Sequence, residues 1–168
     1  MTKTIALAIL AVGAAQAADP ITVRSAAIGP GGMIAQRNSA YGADQSLQVA
    51  WTAAPKAKSY AVVLDDPDAP GPGPFVHWLM WNIPAGRTHL DEGAAAPAGA
   101  VLGRNGHGGI GYWGPHPPSG THHYHLQVLA LDAALALPAG ADRGQFNRAS
   151  RGHVIASGEV VGLFSAPR

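Results

Sequence analysis

Tyr60-Ala61-Val62-Val63-Leu64-Asp65-Asp66-Pro67-Asp68-Ala69-Pro70 runs from an unbroken apolar segment straight into acids and prolines. Five apolar residues without polar alternation suit a strand covered on both faces. The prolines end it, because proline fixes φ and has no N–H to give a sheet. Phe75 to Trp81 is a second such run; it holds His77 and closes on Asn82-Ile83-Pro84. Further on, Gly109-Ile110-Gly111-Tyr112-Trp113-Gly114-Pro115-His116-Pro117-Pro118-Ser119-Gly120 leads into His122-His123-Tyr124-His125. Gly/Pro-rich turns beside acids, histidines and tyrosines predict a rigid pocket with polar side chains in its wall.

Outward from these segments the strand signals continue. Ile21 to Arg24 and Leu47 to Trp51 alternate apolar with polar, as half-buried strands do. Gly29-Pro30-Gly31-Gly32 reads as a turn, Tyr124 to Leu131 as a strong strand, and Val154 to Leu163 as the last strand. Residues 86–105 are rich in Gly and Ala without a period and read as a long loop. Arg143 to Arg151 is the one helical segment, with Asp142 as its N-cap. Frequent strands, Gly/Pro turns and little helix predict an all-β, sandwich-like fold with antiparallel sheets and one or two short peripheral helices.

The chain has 168 residues, enough for one domain with a real core. Basic and acidic residues nearly balance, 11 against 10, which gives no reason to expect nucleic-acid partners. Cysteine is absent, excluding disulfides, thiol catalysis and thiolate-bound zinc. Lys3, the apolar run Thr4 to Ala14 and the small-x-small site Ala15-Gln16-Ala17 read as a secretory signal peptide cleaved after Ala17. The run is too short to span a bilayer comfortably. Residues 1–17 are therefore expected to be a leader, and 18–168 a single periplasmic or secreted domain with no integral membrane segment.

Asp66, Asp68 and His77 could form a general acid/base pair, a metal site or a hydrogen-bonded ligand cradle. For Asp65 and Asp68 the plainer alternative is an Asx-type turn. His122 and Tyr124 stand at i, i+2 on one strand and face the same way; His123 and His125 face the other. The latter two supply too few ligands for tight zinc, and a solvated polar face is the simpler reading. Gly111, Gly114, Pro115, Pro117 and Pro118 form a further wall whose backbone N–H groups could make an anion nest. These motifs hold no Lys or Arg, so a phosphate there would rest on amides, imidazole and phenol.

DPDAP, FVHW, NIP, GIGYWGPHPPSG and HHY, in this order and spacing, resemble the phosphatidylethanolamine-binding protein family, also called Raf kinase inhibitor-like, and its bacterial branch in particular. Gly152-His153-Val154-Ile155-Ala156 is a weaker match. The resemblance implies a β-sandwich with a larger and a smaller sheet. It implies a ligand-binding pocket built from Asp66, Asp68, Pro70, His77, Gly114, Pro115, Pro118, His122 and Tyr124, with no catalytic residue, metal or cofactor. Relatives carry cis peptide bonds here, so Ala69-Pro70 and Gly73-Pro74 are expected to be cis. His123 falls where relatives commonly place arginine. His116 stands where they usually have a small residue or cysteine, and would narrow the mouth or add a donor. An Asn-x-Ser-Pro segment common in the family after a Gly has no counterpart here, where Gly42 is followed by Ala43-Asp44-Gln45-Ser46-Leu47-Gln48 without the Asn and Pro, which bears on the pocket rim.

The expected function is an exported binding protein for a small anion or a phosphorylated or zwitterionic headgroup. A protein target to be inhibited or regulated and a homodimer are kept as partner readings. The alternative is a low-turnover or metal-assisted hydrolase using Asp66, His77 and His122. Against it, the chain has no G-x-S-x-G elbow and no serine beside these residues. Gly103-Arg104-Asn105-Gly106 lacks the Lys-Ser/Thr ending of a phosphate loop.

Overall fold

The computed structural model describes residues 19–167, so the leader expected over residues 1–17 lies outside them. Nine strands and one α-helix follow in chain order: β1 (Asp19–Pro20), β2 (Val23–Arg24), β3 (Val49–Trp51), β4 (Ser59–Asp66), β5 (Phe75–Pro84), β6 (His89–Leu90), β7 (Val101–Leu102), β8 (Thr121–Leu131), α1 (Arg143–Ser150) and β9 (Val154–Ser165). The larger sheet has the order β1-β9-β8-β4-β5-β7, and the smaller β2-β3-β6. Pairing is antiparallel throughout, apart from the two-residue parallel contact of β1 with β9.

All eight residues of β4 are buried, as its unbroken apolar run predicts. The reason is a core on each face. Tyr60, Val62 and Leu64 point between the sheets with Trp51, Trp78, Leu126 and Val128. Ala61 and Val63 point the other way, onto Leu79, Trp81, Leu135 and Phe146. Phe146 is fully buried and comes from α1, so the helix is the lid of the outer core. Its start is fixed as the sequence predicts: Asp142 accepts from the Gln145 N–H while the Gln145 side chain returns to the Asp142 N–H, a complete capping box.

Two expectations change. The loop read over residues 86–105 contains β6 and β7, two residues each, pairing with β3 and β5. A two-residue strand displays no period, so composition alone hides it. Among the described residues no peptide bond is cis, so Ala69-Pro70 and Gly73-Pro74 are both trans. The chain reverses instead through the side-chain-capped turn after Asp66 and through Gly71 at φ 149°. That φ is open to glycine, and trans is the cheaper X-Pro isomer.

Pairing of β4 with β5 is irregular at the end of the sheet where acids and histidines meet. Leu64 pairs with Trp78, yet Asp65 pairs with Val76. His77 is thus the extra residue of a bulge, a device that re-aims a side chain. Val76 packs on the outer core and Trp78 on the inner one, while His77 turns into a cavity beside Phe75.

Candidate binding pocket

A cavity of about 210 Å³ opens at this end of the larger sheet, lined by Asp66 at the end of β4, Phe75 and His77 on β5, and His122 on β8, with Trp113, His116 and Pro118 from the preceding loop. Ala69 and Pro70 close its remaining side. The volume is below that of most drug-sized ligand sites and suits a headgroup or small ion.

Asp66 carries two loads. Its Oδ1 accepts from the N–H groups of Asp68 (2.9 Å) and Ala69 (3.1 Å), closing the turn that the sequence reading had offered to Asp65 or Asp68. Its Oδ2 lies 2.7 Å from His122 Nδ1, and both side chains are buried. A carboxylate can only accept, so that Nδ1 bears the proton. His77 Nδ1–H donates to the Trp113 carbonyl at 2.7 Å, and the Trp113 N–H returns to the His77 carbonyl at 2.9 Å. His77 is 2% exposed. Burial pushes its pKa below the ordinary 6.5, against the pull of the Trp113 carbonyl and the Asp66 charge. Neutral His77 therefore has a bare Nε2, an acceptor.

Tyr124 lies beneath, fully buried, its ring edge-on to His77 at 5.2 Å. Its hydroxyl has no hydrogen-bond partner. Burial first, then the charge of Asp66, raises its pKa, so it stays a phenol. The walls are aromatic: Trp113 stacks parallel to His77 at 5.4 Å and to His107 at 4.5 Å, and His116 stacks on Tyr41 at 4.3 Å.

Of the nine residues expected in the site, Asp66, Pro70, His77, Pro118 and His122 line the cavity, and Tyr124 supports it. Gly114 and Pro115 stand behind the wall. The Gly114 N–H donates to Asp44 Oδ1 at 2.6 Å, and the Pro115 carbonyl accepts from Ala40. Gly114 is packed so closely on residues 38 and 39 that a Cβ would stand 2.3 Å from the Asn38 carbonyl oxygen. Its amide is committed, which removes one donor from the expected anion nest. Asp44 stands at φ 52°, and its carboxylate ties the rim loop to the Gly/Pro wall. Asp68 turns outward and holds His123 through its N–H (2.8 Å) and Nδ1 (2.7 Å). His125 pairs with Glu159 at 3.1 Å, and Asp65 with Arg143 at 2.5 Å, on the outer face. Phe75 and Trp113 were not singled out from the sequence. Their signal was position: each sits inside a quoted motif, Phe75 two residues before His77 and Trp113 directly before Gly114.

A two-sheet β-sandwich with a histidine-lined cavity at a sheet end is a ligand-binding fold. The phosphatidylethanolamine-binding protein family model matches residues 24–165, and the chain belongs to that family. It is 48% identical over 115 residues to a UPF0098 protein of Pyrococcus horikoshii, covering 64% of this chain and 57% of that protein's length. It is 37% identical over 152 residues to LppC of Mycobacterium tuberculosis, named as a candidate lipoprotein, covering 89% of this chain and 75% of that protein. The crystal structure of a phosphatidylethanolamine-binding protein homologue from Chlamydia trachomatis superposes with a TM-score of 0.82 at 31% identity, covering 89% of this chain and all of the other.

Proposed function

We propose that the protein is an exported binding protein whose pocket holds a small anion or a phosphorylated or zwitterionic headgroup, and that it acts by occupying a ligand or a protein target. The observation that carries this reading is the Asp66–His122 pair beside a second buried imidazole in a headgroup-sized cavity. The imidazoles of His77, His116 and His122 are the polar side chains of the lining left for a ligand, with the Tyr124 hydroxyl sealed beneath them. With no Lys or Arg in the lining, a phosphate must either bring its own proton or rely on protonation of a lining imidazole, His77, His116 or His122. Affinity for phosphoethanolamine then rises as pH falls from about 8 to about 6, across the ordinary histidine range. Asp66 adds negative charge and limits the gain.

Hydrolysis is not favoured. The lining offers no hydroxyl or thiol nucleophile, and both oxygens of Asp66 are engaged. Export is supported by the leader pattern and by the lipoprotein name of one relative. Among the described residues no helix is long and apolar enough to cross a membrane.

Calorimetric titration with phosphoethanolamine tests the assignment. A charge-assisted hydrogen bond is worth roughly 1.5–3 kcal/mol, so His77→Ala and His122→Ala each weaken binding by about tenfold to a hundredfold. His123→Ala and His125→Ala do little. Equal losses in all four variants would sink the reading.

A further inference from the structure

Beyond the Pro/Gly turn of residues 70–74, a second cleft of about 420 Å³ opens beside the start of α1, and Arg104, Arg143 and Arg148 all line it. The histidine pocket has no cationic side chain of this kind, whereas three of the chain's 11 basic residues gather here. We propose that this cleft is a second oxyanion site, separate from the histidine pocket, and that it takes a phosphate monoester group.

Two of the guanidinium groups are held in place before any ligand arrives. Arg143 gives Nη1 to Asp65 Oδ2 at 2.5 Å and Nε to Asn147 Oδ1 at 2.9 Å, which leaves Nη2 uncommitted. Arg104 gives Nη1 to the Gly108 carbonyl at 3.0 Å and likewise keeps Nη2. Arg148 has no hydrogen bond or ion pair among the described residues. It reaches back over the first turn of α1, where its Nη1 would stand 3.6 Å from a Cβ at Gly144. Preset guanidinium forks match phosphate oxygens in pairs and lose little freedom on binding. Gly144 also lines the cleft, and its amide lies in the helix turn whose N–H groups lack intrahelical acceptors.

One carboxylate opposes the anion. Asp142 lines the cleft, but its Oδ1 is spent on the Gln145 N–H at 2.8 Å. Asp65 is buried and already spent on Arg143. Three guanidinium groups against the carboxylates of Asp142 and of Asp65, the ion-pair partner of Arg143, leave the cleft with a net positive charge. The phosphate could belong to a soluble monoester or to an anionic lipid headgroup; the chemistry recognised is the same.

The test uses phosphoserine in calorimetry and vesicles containing phosphatidic acid in co-sedimentation, on the whole protein. Arg104→Gln and Arg148→Gln are the cleft variants, since both residues are exposed. Arg143 is spared because its loss would strand buried Asp65. His122→Ala reports on the histidine pocket. Each arginine variant is expected to weaken binding about tenfold, and this binding survives His122→Ala. Loss confined to the vesicle arm identifies a lipid headgroup, and loss confined to phosphoserine a soluble monoester; either supports the site. The site is overturned if both arginine variants bind as the parent does in both arms. It is equally overturned if His122→Ala abolishes all binding, or if neither probe binds at all.

Discussion

A lone imidazole in an apolar run is more often a core residue, and for His77 it is the family resemblance that points to the pocket; the bulge then turns His77 off the regular alternation and into the cavity. The bulge itself has no signature in Phe75-Val76-His77-Trp78. Burial lowers the pKa of His77 below 6.5. The unfolded chain therefore binds a proton more readily than the folded one as pH drops through that value, and stability rises with pH there. This contribution is complete above 6.5 and is lost as pH falls towards the depressed folded value. We expect the melting temperature to fall between about pH 7.5 and about pH 5.5, and His77→Phe to flatten that fall. An unchanged slope in the variant would remove His77 as the cause. Asp65 works in the opposite sense and lower down: burial raises its pKa above 3.8 in spite of Arg143, so its protonation favours the folded state in acid.

Among the elements, the long strands and the short alternating β2 and β3 were legible, whereas β6 and β7 were not. The unbroken run of β4 is buried because two cores flank it, and its apolar residues announced that. The Asp142 cap was legible because it depends on a local pattern, Asp followed three residues later by Gln. The two-residue strands β6 and β7 owe their pairing to strands brought alongside by the fold, β3 and β5. The commitment of Gly114 to Asp44 is likewise a contact across 70 positions that no local pattern encodes. Helix α1 is marginal by length and owes its place to one anchor, Phe146, which is fully buried with Trp81 at 6.1 Å. Phe146→Ala is expected to cost about 3–5 kcal/mol in denaturant unfolding, as large aromatic truncations in cores do. A cost under about 1 kcal/mol would mean the helix does not depend on that anchor.

For the molecule as a whole, the two-sheet plan was implied by the family resemblance that the ordered motifs carry over nearly the whole domain, whereas the cavity's place at a sheet end emerges only from the fold. The start of the domain bears on export. Asp19 and Pro20 already form β1 against Ala156 and Ser157 of β9, so a cut after Ala17 frees the chain just before it enters the sheet. N-terminal sequencing of the exported protein should begin Ala18-Asp19-Pro20; a retained Met1 in that fraction would refute cleavage. The stacking of Trp113 has a practical consequence. Of the four tryptophans, Trp51, Trp78 and Trp81 are at most 6% exposed and sense only the cores. Trp113 alone borders the cavity, with the rings of His77 and His107 parallel to its own. An occupant of the cavity changes the surroundings of this indole, so the protein carries its own fluorophore at the pocket wall, and occupancy can be followed by light without a label.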